Sequence, residues 1–501
     1  MTGHPLRFGT AGLRGPVGDG PGCINVGVVE RTTAGLARWL RDRCLGGGTV
    51  VVGRDARHGS AEFARAAAEV LAAEGFAVTL LPRPLPTPLV AFAVRRLGAV
   101  AGVQITASHN PPTDNGYKVY LSGGAPLAAP ADREIEDAIG RVEQIRRSPV
   151  APVDDALLDD YLARVATLPR GDSRTIRIAL TALHGAGGET AVAALRAAGF
   201  TDIHTVAAQF EPDPDFPTVT FPNPEEPGTT DALLALAAEI DADVAIALDP
   251  DADRCAVGIP DGDGWRMLTG DETGALLGQR ILQHAPPGSL VATTIVSSTL
   301  LGKIATARGF RSARTLTGFK WLVRAGDGLV YAYEEAVGHC VDPDVVRDKD
   351  GISASVLIAD LVADLAASGR TVQSTLDALA VEFGVHVTGQ VSRRTEDVAD
   401  IARIMERLRT DPPADIAGTA VEATDLAAAR GPLRTDAVTL SGPGLHVTVR
   451  PSGTEPKLKA YFEVIEPVPS AGHLTAARAA ARARADLIRT RLAAADRPGT
   501  S

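Results

Sequence analysis

Thr106-Ala107-Ser108-His109-Asn110-Pro111-Pro112 places a hydroxyl beside an imidazole and an amide, on a loop stiffened by two prolines. A serine exposed just past a strand end, with a base next to it, suits covalent chemistry. A polar turn carrying an incidental serine is the plain alternative. Asp249-Pro250-Asp251-Ala252-Asp253-Arg254 sets three carboxylates at alternate positions. They repel one another unless a cation sits among them, and hard oxygen donors favour Mg²⁺ or Ca²⁺ over zinc. Arg254 is too close in sequence to serve all three, and no other cation is assigned to them. The spacing imitates the start of an EF-hand loop, but Arg254 takes the sixth position and Pro260 the twelfth, so that reading fails. The Asp-x-Asp of aspartyl-phosphate phosphatases is a rival, and a solvated acidic turn is the plain alternative.

Three further stretches carry lesser signals. Glu334-Glu335-Ala336 offers adjacent acids that could accept hydrogen bonds from sugar hydroxyls. Arg450-Pro451-Ser452-Gly453-Thr454, followed by Lys457 and Lys459, makes a ready phosphate-binding loop, although a hairpin turn would use Ser-Gly-Thr too. In Phe8-Gly9-Thr10-Ala11-Gly12-Leu13-Arg14-Gly15, backbone amides could approach an anion with Arg14 completing the contact, or the stretch is a flexible arm. Arg54, Arg57 and His58 directly after a strand suit phosphate capture, with Ser60 capping the next helix.

The elements that position these groups alternate between strand and helix. Thr49–Gly53, Ala77–Leu81 and Gly98–Ile105 read as buried strands separated by helical patterns at 60–74 and beyond. Asn115-Gly116 reads as a turn entering a strand that carries Lys118 near the serine loop. The rhythm restarts at Thr175–Leu180 and Val244–Leu248, and again near Leu290, which means mostly parallel α/β sheets in repeated units. Asp261-Gly262-Asp263-Gly264 reads as a hairpin turn, and Asp350 or Ser353 as the cap of a helix. From about 386 strand-like runs flank a helix near 396–409, and an Ala/Arg-rich helix closes the chain.

With 501 residues, 45% hydrophobic and 22% charged, the chain can bury several cores. A formal charge of −11 argues against non-specific nucleic-acid binding, which needs a basic face. The four scattered cysteines resemble reduced thiols, not a disulfide framework or zinc site. No apolar run is long enough to span a membrane and the first residues lack a signal-peptide core, so a soluble, cytoplasmic protein without membrane partners is expected.

Taken in order, these motifs resemble the α-D-phosphohexomutase superfamily over nearly the whole chain. The Ser108 stretch resembles its phosphoserine loop, Asp249–Arg254 its magnesium loop and Arg450–Thr454 its phosphate-binding loop, while Glu334–Ala336 falls where the sugar-recognition loop lies. Phe8–Gly15 and Leu316-Thr317-Gly318-Phe319-Lys320-Trp321 resemble the branch holding bacterial phosphoglucomutase/phosphomannomutase-like and phosphopentomutase-like enzymes. The resemblance implies the α/β class: three similar mixed-sheet α/β domains, 1–165, 166–285 and 286–385, and a smaller α+β C-terminal domain, 386–501, around a central cleft.

The resemblance further implies a phosphosugar mutase that interconverts the 1- and 6-phosphates of glucose or mannose. It would work through a phosphoserine at Ser108 and a sugar bisphosphate, both intermediate and activator. Mg²⁺ would be held by Ser108, Asp249, Asp251 and Asp253. Lys118, Arg14 and His109 would be the acid–base or charge-stabilising groups. Arg54, Thr317, Gly318, Lys320, Glu334, Ala336, Arg450, Ser452, Gly453 and Thr454 would contact the sugar phosphate. The partners implied are small phosphosugars, with a monomer or homodimer as the working form. Many hexose mutases carry Glu-x-Ser where this chain has Glu334-Glu335-Ala336, and His339 stands one residue further on than the matching histidine. The missing hydroxyl keeps a phosphopentomutase open. A metal-dependent sugar phosphatase would need no second phosphate loop, and the intact serine and aspartates argue against a non-catalytic sensor.

Overall fold

A computed structural model describes residues 6–9, 12–20, 22–262, 264–394, 398–452 and 457–494. The chain forms two compact units: residues 1–285 with 318–372, and residues 286–317 with 373–501.

The first unit opens with β1 (Leu13–Pro16), α1 (Val26–Arg41), β2 (Thr49–Arg54), α2 (Ser60–Ala73), β3 (Ala77–Leu80), α3 (Thr87–Arg96), β4 (Ala101–Ile105) and β5 (Asp114–Leu121). Asn25 starts α1 by accepting the Val28 amide at 3.0 Å, and Val29, Leu36 and Leu40 face the core. The sheet order is β1-β5-β4-β2-β3, with β2, β3 and β4 parallel and β5 and β1 antiparallel. Asn115 and Gly116 therefore lie inside β5, not in a turn before it. Gly116 faces Arg14 of β1 in the ladder, so the edge strand extends the turn signal into a pairing.

The plan then repeats. After α4 (Ala131–Gly140) and α5 (Ala156–Val165) come β6 (Ile178–Thr181), α6 (Gly188–Ala197), β7 (Ile203–Thr205), α7 (Asp231–Glu239), β8 (Val244–Leu248), β9 (Cys255–Asp261), β10 (Gly264–Met267) and α8 (Gly270–Leu282). Here too parallel strands β7-β6-β8 are followed by an antiparallel neighbour, β9, and the β9–β10 pair confirms the expected hairpin. In both sheets the chemically loaded loop joins a central parallel strand to its antiparallel neighbour: β4 to β5, and β8 to β9. Loops at such strand ends are held by a rigid sheet while staying free to vary.

Residues 286–317 of the second unit supply a parallel pair, β11 (Leu290–Thr294) and β12 (Arg311–Thr315), joined through α9 (Leu300–Ala307). The chain then re-enters the first unit as α10 (Phe319–Leu322), β13 (Leu329–Glu334), β14 (Gly338–Cys340) and α11 (Gly351–Ala367). Asp350 caps α11, its carboxylate accepting the Ile352 and Ser353 amides at 3.1 and 3.0 Å. Helix α11 is almost wholly buried and packs on α6, α8, β8 and β9. The rest of the second unit is α12 (Val372–Phe383), β15 (Val385–Arg394), α13 (Val398–Thr410), β16 (Asp415–Ile416), β17 (Thr419–Ala420), β18 (Glu422–Asp425), β19 (Val438–Gly442), β20 (Leu445–Pro451), β21 (Lys457–Glu466) and α14 (Leu474–Ala494). Its sheet, β15-β21-β20-β19-β18, is antiparallel throughout. Leu445, Val447 and Val449 alternate towards a core completed by Met405 of α13 and Ala481 and Ile488 of α14. No single described helix is long and apolar enough to cross a membrane.

Candidate active site

Ser108 is 1% exposed, not the open hydroxyl its place past a strand end suggested, because its side chain turns towards the loop after β8. Its φ of +55° lies in the left-handed region, which costs a residue other than glycine roughly 1–2 kcal/mol. A dense set of contacts holds it there. The Ser108 amide donates to Thr106 Oγ1 at 2.9 Å. Arg57 Nη2 donates to Ser108 O and Asn110 O, each at 2.6 Å, and Nη1 to Pro111 O at 2.7 Å and Asp114 O at 3.1 Å. Arg57 in turn pairs with buried Asp55 at 3.3 Å. Arg57 is thus a clamp on the serine loop instead of a phosphate ligand. Ser60 is no helix cap either: its hydroxyl donates to Asp55 at 2.6 Å, and Gly59 precedes the helix. Arg54 Nη1 donates to Asp55 O at 3.2 Å.

The second loop leaves β8 and brings Asp249, Asp251 and Asp253 together, all buried, with one oxygen from each inside a 4.8 Å cluster. Ala252 has φ +53°. Gly185, after β6, supports the loop from behind: a Cβ there would lie 2.3 Å from Pro250 Cα, and the neighbouring Ala186 amide donates to Pro250 O at 2.8 Å. The loop from Leu183 to Gly188 therefore acts as a backrest.

Ser108 Oγ donates to Asp249 Oδ2 at 2.9 Å, which joins the two loops. Thr87 Oγ1 donates to Asp251 Oδ2 at 2.5 Å. Lys118 Nζ reaches Asp251 Oδ2 at 2.6 Å and Asp253 Oδ2 at 2.7 Å, and Lys349 Nζ lies 3.2 Å from Asp253. Arg254 Nε stands 3.9 Å from both Asp249 and Asp253. The expectation that no other cation meets the three acids is corrected: two lysines from distant segments do so. Even so, Asp251 Oδ1 and Asp253 Oδ1 are buried without a hydrogen-bond partner. Two orphaned carboxylate oxygens beside Asp249 and a hydroxyl are a donor set that fits a hard divalent cation.

Charge is distributed unevenly over these acids. Burial and the neighbouring Asp251 and Asp253 hold the Asp249 carboxyl well above its ordinary value. Burial also works against ionised Asp251, but the charge and hydrogen bond of Lys118 outweigh it and hold Asp251 low. For Asp253, burial and Asp251 are overcome by Lys118, Lys349 and Arg254. Burial, aided by Arg254 and Arg14, drives His109 well below its ordinary value, and its Nδ1 lies 3.2 Å from Ser108 Oγ. Arg14 Nη1 donates to Asn110 Oδ1 at 3.1 Å.

A third loop, between β13 and β14, carries the acid pair. Glu334 faces Gly338 in the ladder, and Val337 has φ +50°, an outlier for a β-branched residue. Arg254 Nη1 donates to Ala336 O at 3.0 Å, and the Cys255 amide to Val337 O at 3.0 Å, so this turn is stitched to the aspartate loop. Burial raises the Glu334 carboxyl against the pull of Lys349 and Arg254. Each of the three loops has one left-handed residue other than glycine, a concentration of strain typical of functional sites. His339 faces the core, with Nδ1 3.0 Å from the Tyr331 hydroxyl, and burial depresses it to about 3.

Ser108, His109, Arg14, Lys118 and the three aspartates thus share one locus in the first unit, with Glu334 and Ala336 joined to it through Arg254. Gly318 has φ +105°, and Lys320 is half-buried and depressed by burial. In the second unit Thr317 is half-buried. Arg450 falls near the end of β20, and the Ser452 amide donates to Lys457 O at 2.7 Å. Gly453 and Thr454 lie outside the described residues, as do Thr10 and Ala11. Sequence reasoning missed Lys349, Thr87 and the bridging role of Arg254. Lys349 was visible as a lone cation between two aspartates, Asp348 and Asp350, ahead of a glycine, but it read only as a helix start.

Models of the phosphoglucomutase/phosphomannomutase α/β/α domains I, II and III match residues 5–146, 159–263 and 269–383. The chain belongs to this family of phosphosugar mutases, within the α-D-phosphohexomutase superfamily, whose members are intramolecular phosphotransferases. It is 41% identical over 88% of its length, and 93% of the relative's, to a Haemophilus influenzae protein named "Probable phosphomannomutase". It is 35% identical to a phosphopentomutase of Pongo abelii over 93% of this chain and 86% of that one. A crystal structure of a phosphoglucomutase/phosphomannomutase family protein from Burkholderia thailandensis shares the fold, with a TM-score of 0.76 at 23% identity, over 99% of this chain and 98% of that one.

Proposed function

We propose that this chain interconverts hexose 1-phosphates and hexose 6-phosphates, with glucose and mannose as sugars, through a phosphoserine at Ser108 and a sugar bisphosphate. The observation that carries the reading is the bond from Ser108 Oγ to Asp249, beside two aspartate oxygens left without partners. Ser108, Asp249, Asp251 and Asp253 would hold Mg²⁺. When bound, that ion neutralises charge developing on the transferred phosphoryl group.

The chain's own residues divide the remaining work. In the phosphorylated enzyme the P–Oγ bond of Ser108 breaks as a sugar hydroxyl forms the new P–O bond. The hydroxyl's proton leaves to a neighbouring base, and Oγ keeps the bond's electron pair. His109 Nδ1, at 3.2 Å, is the base closest to Oγ among those assigned. Lys118 and Arg14 oppose the charge on the transferring group. After the bisphosphate turns around, its other phosphoryl group passes back to Oγ and the sugar oxygen regains a proton. Glu334 reads ring hydroxyls, while Arg450, Ser452, Gly453 and Thr454 grip the phosphate that is not reacting, with Arg54, Thr317, Gly318 and Lys320 completing the contacts.

A pentose substrate is the second reading. Ala336 offers a methyl group where a serine would offer a hydroxyl, and the similarity to a named phosphopentomutase favours it too. The test is kcat/KM for glucose, mannose, ribose and deoxyribose 1-phosphates. A preference for ribose 1-phosphate of more than about tenfold, roughly 1.4 kcal/mol in the transition state, would overturn the hexose assignment.

A further inference from the structure

Thr87 opens α3, yet its hydroxyl does not cap its own helix. It crosses instead to the loop after β8, where Oγ1 donates to Asp251 Oδ2 at 2.5 Å. The Thr87 amide, one of the donors that a helix start leaves without a partner inside the helix, donates to Asp251 O at 2.9 Å. Both donors of one residue therefore grip an aspartate 164 positions away. The mount is rigid. Pro86 and Pro88 restrict the backbone on either side of Thr87. Leu85 donates its amide to Arg54 O and its carbonyl accepts Gln104 Nε2, each at 3.0 Å, which ties the turn to β2 and β4. Thr87 is wholly buried, as are Leu89, Val90 and Ala91 behind it.

The bonds to the three acids divide their oxygens. Asp251 Oδ2 takes Thr87 and, at 2.6 Å, Lys118 Nζ, while Asp251 Oδ1 has no hydrogen-bond partner. Asp253 Oδ2 takes Lys118 at 2.7 Å and Lys349 at 3.2 Å, while Asp253 Oδ1 has none. Asp249 Oδ1 accepts the Arg254 amide at 3.0 Å, and its Oδ2 meets Ser108. Lys118 and Lys349 are cations, and they repel a metal ion brought to the same acids. Thr87 is neutral, so it fixes the rotation of the Asp251 carboxylate without opposing the ion. Removing a partner that orients a metal ligand in this way typically costs about tenfold to hundredfold in affinity.

We propose that Thr87 is a positioning residue for the divalent-cation site: its hydroxyl holds Asp251 Oδ2 so that Oδ1 stays free for the ion. The proposal rests on the reading that Asp249, Asp251 and Asp253 hold Mg²⁺, and on no particular sugar. The test is titration of the full chain with Mn²⁺, followed through the electron paramagnetic resonance signal of the free ion, with equal phosphate content in each protein confirmed by mass spectrometry. Binding that Asp251→Asn removes is binding at this site. Thr87→Val keeps the branched shape and the amide bond to Asp251 O but loses the hydroxyl. It should raise the Kd for Mn²⁺ about tenfold or more while still unfolding cooperatively. Thr87→Ser restores the hydroxyl and should bind more like the wild type than like Thr87→Val. Thr87→Ala takes the place of Thr87→Val if valine destroys the cooperative melt. A threonine with a merely structural role would lower the melting temperature and leave Kd unchanged, so a variant without the hydroxyl that binds Mn²⁺ as the wild type does overturns the proposal. So does a Thr87→Ser protein that binds as weakly as Thr87→Val. A wild-type chain without Asp251-dependent Mn²⁺ binding overturns the cation reading itself, and the proposal with it, which separates that failure from the proposal's own.

Discussion

Replacing Arg57 with Met should loosen the serine loop more than any other single change away from Ser108 itself. The guanidinium gives four hydrogen bonds to loop carbonyls, at 2.6, 2.6, 2.7 and 3.1 Å, and pairs with Asp55. Bonds from a charged donor contribute about 1.5–3 kcal/mol each, so four would sum to about 6–12 kcal/mol. That sum overshoots, because contacts in one network are not additive and released carbonyls find water. The better guide is the loss of one partner from a buried ion pair, about 3–5 kcal/mol, since Asp55, 1% exposed, is left without its charged partner. Urea unfolding of Arg57→Met should show a loss of that size. Turnover should fall by about a hundredfold or more, because Ser108 is no longer held in its left-handed conformation. Arg57→Lys keeps the charge beside Asp55 but not the fork, and should recover part of the stability and little of the activity. An Arg57→Met protein within about 1 kcal/mol of wild type, with normal kcat, would refute the clamp.

Other outcomes follow from the same geometry. Chelation should abolish turnover and Mg²⁺ restore it, whereas Asp251→Asn should remain inactive in excess Mg²⁺; activity that survives chelation counts against the metal site. Burial pushes the Glu463 carboxyl up, but the hydrogen bond and charge of His386 and the Ser298 hydroxyl hold it down to about 2 from an ordinary 4.5. Because the folded carboxylate resists protonation, its contribution, about 3 kcal/mol, is complete above about pH 5 and is lost as pH falls from 4.5 towards 2. Acid unfolding of Glu463→Gln should lack that slope. Glu334→Gln should lower kcat/KM for every sugar whose hydroxyls it reads, and no change across the panel would free the loop from that role. Gly185→Ala should cost activity through the aspartate loop, because its Cβ would sit against Pro250, and a crystal structure of the variant with an unmoved loop would contradict this.

Much of the site was legible because strand and loop signals coincide with reactive residue types. Val244–Leu248 is all apolar and then turns at once to three aspartates, and the structure gives the strand those same bounds. Asp350 caps its helix as the pattern suggested. The unread part depends on long-range placement. Lys118 reads as a neighbour of the serine but bonds to aspartates 133 and 135 residues away. Arg57 carries a phosphate-like signal, yet buried Asp55 and four carbonyls consume it. The burial of Ser108 follows from a partner 141 residues along the chain, which no local pattern carries.

The central claim is that Ser108 carries the phosphoryl group. Incubating the protein with glucose 1,6-bisphosphate and Mg²⁺, then mapping phosphate by peptide mass spectrometry, tests it most directly. The account predicts phosphate on Ser108, its loss when glucose 1-phosphate is added alone, and neither label nor turnover in a folded Ser108→Ala protein. Phosphate found elsewhere, or a folded Ser108→Ala protein with full mutase activity, would contradict it.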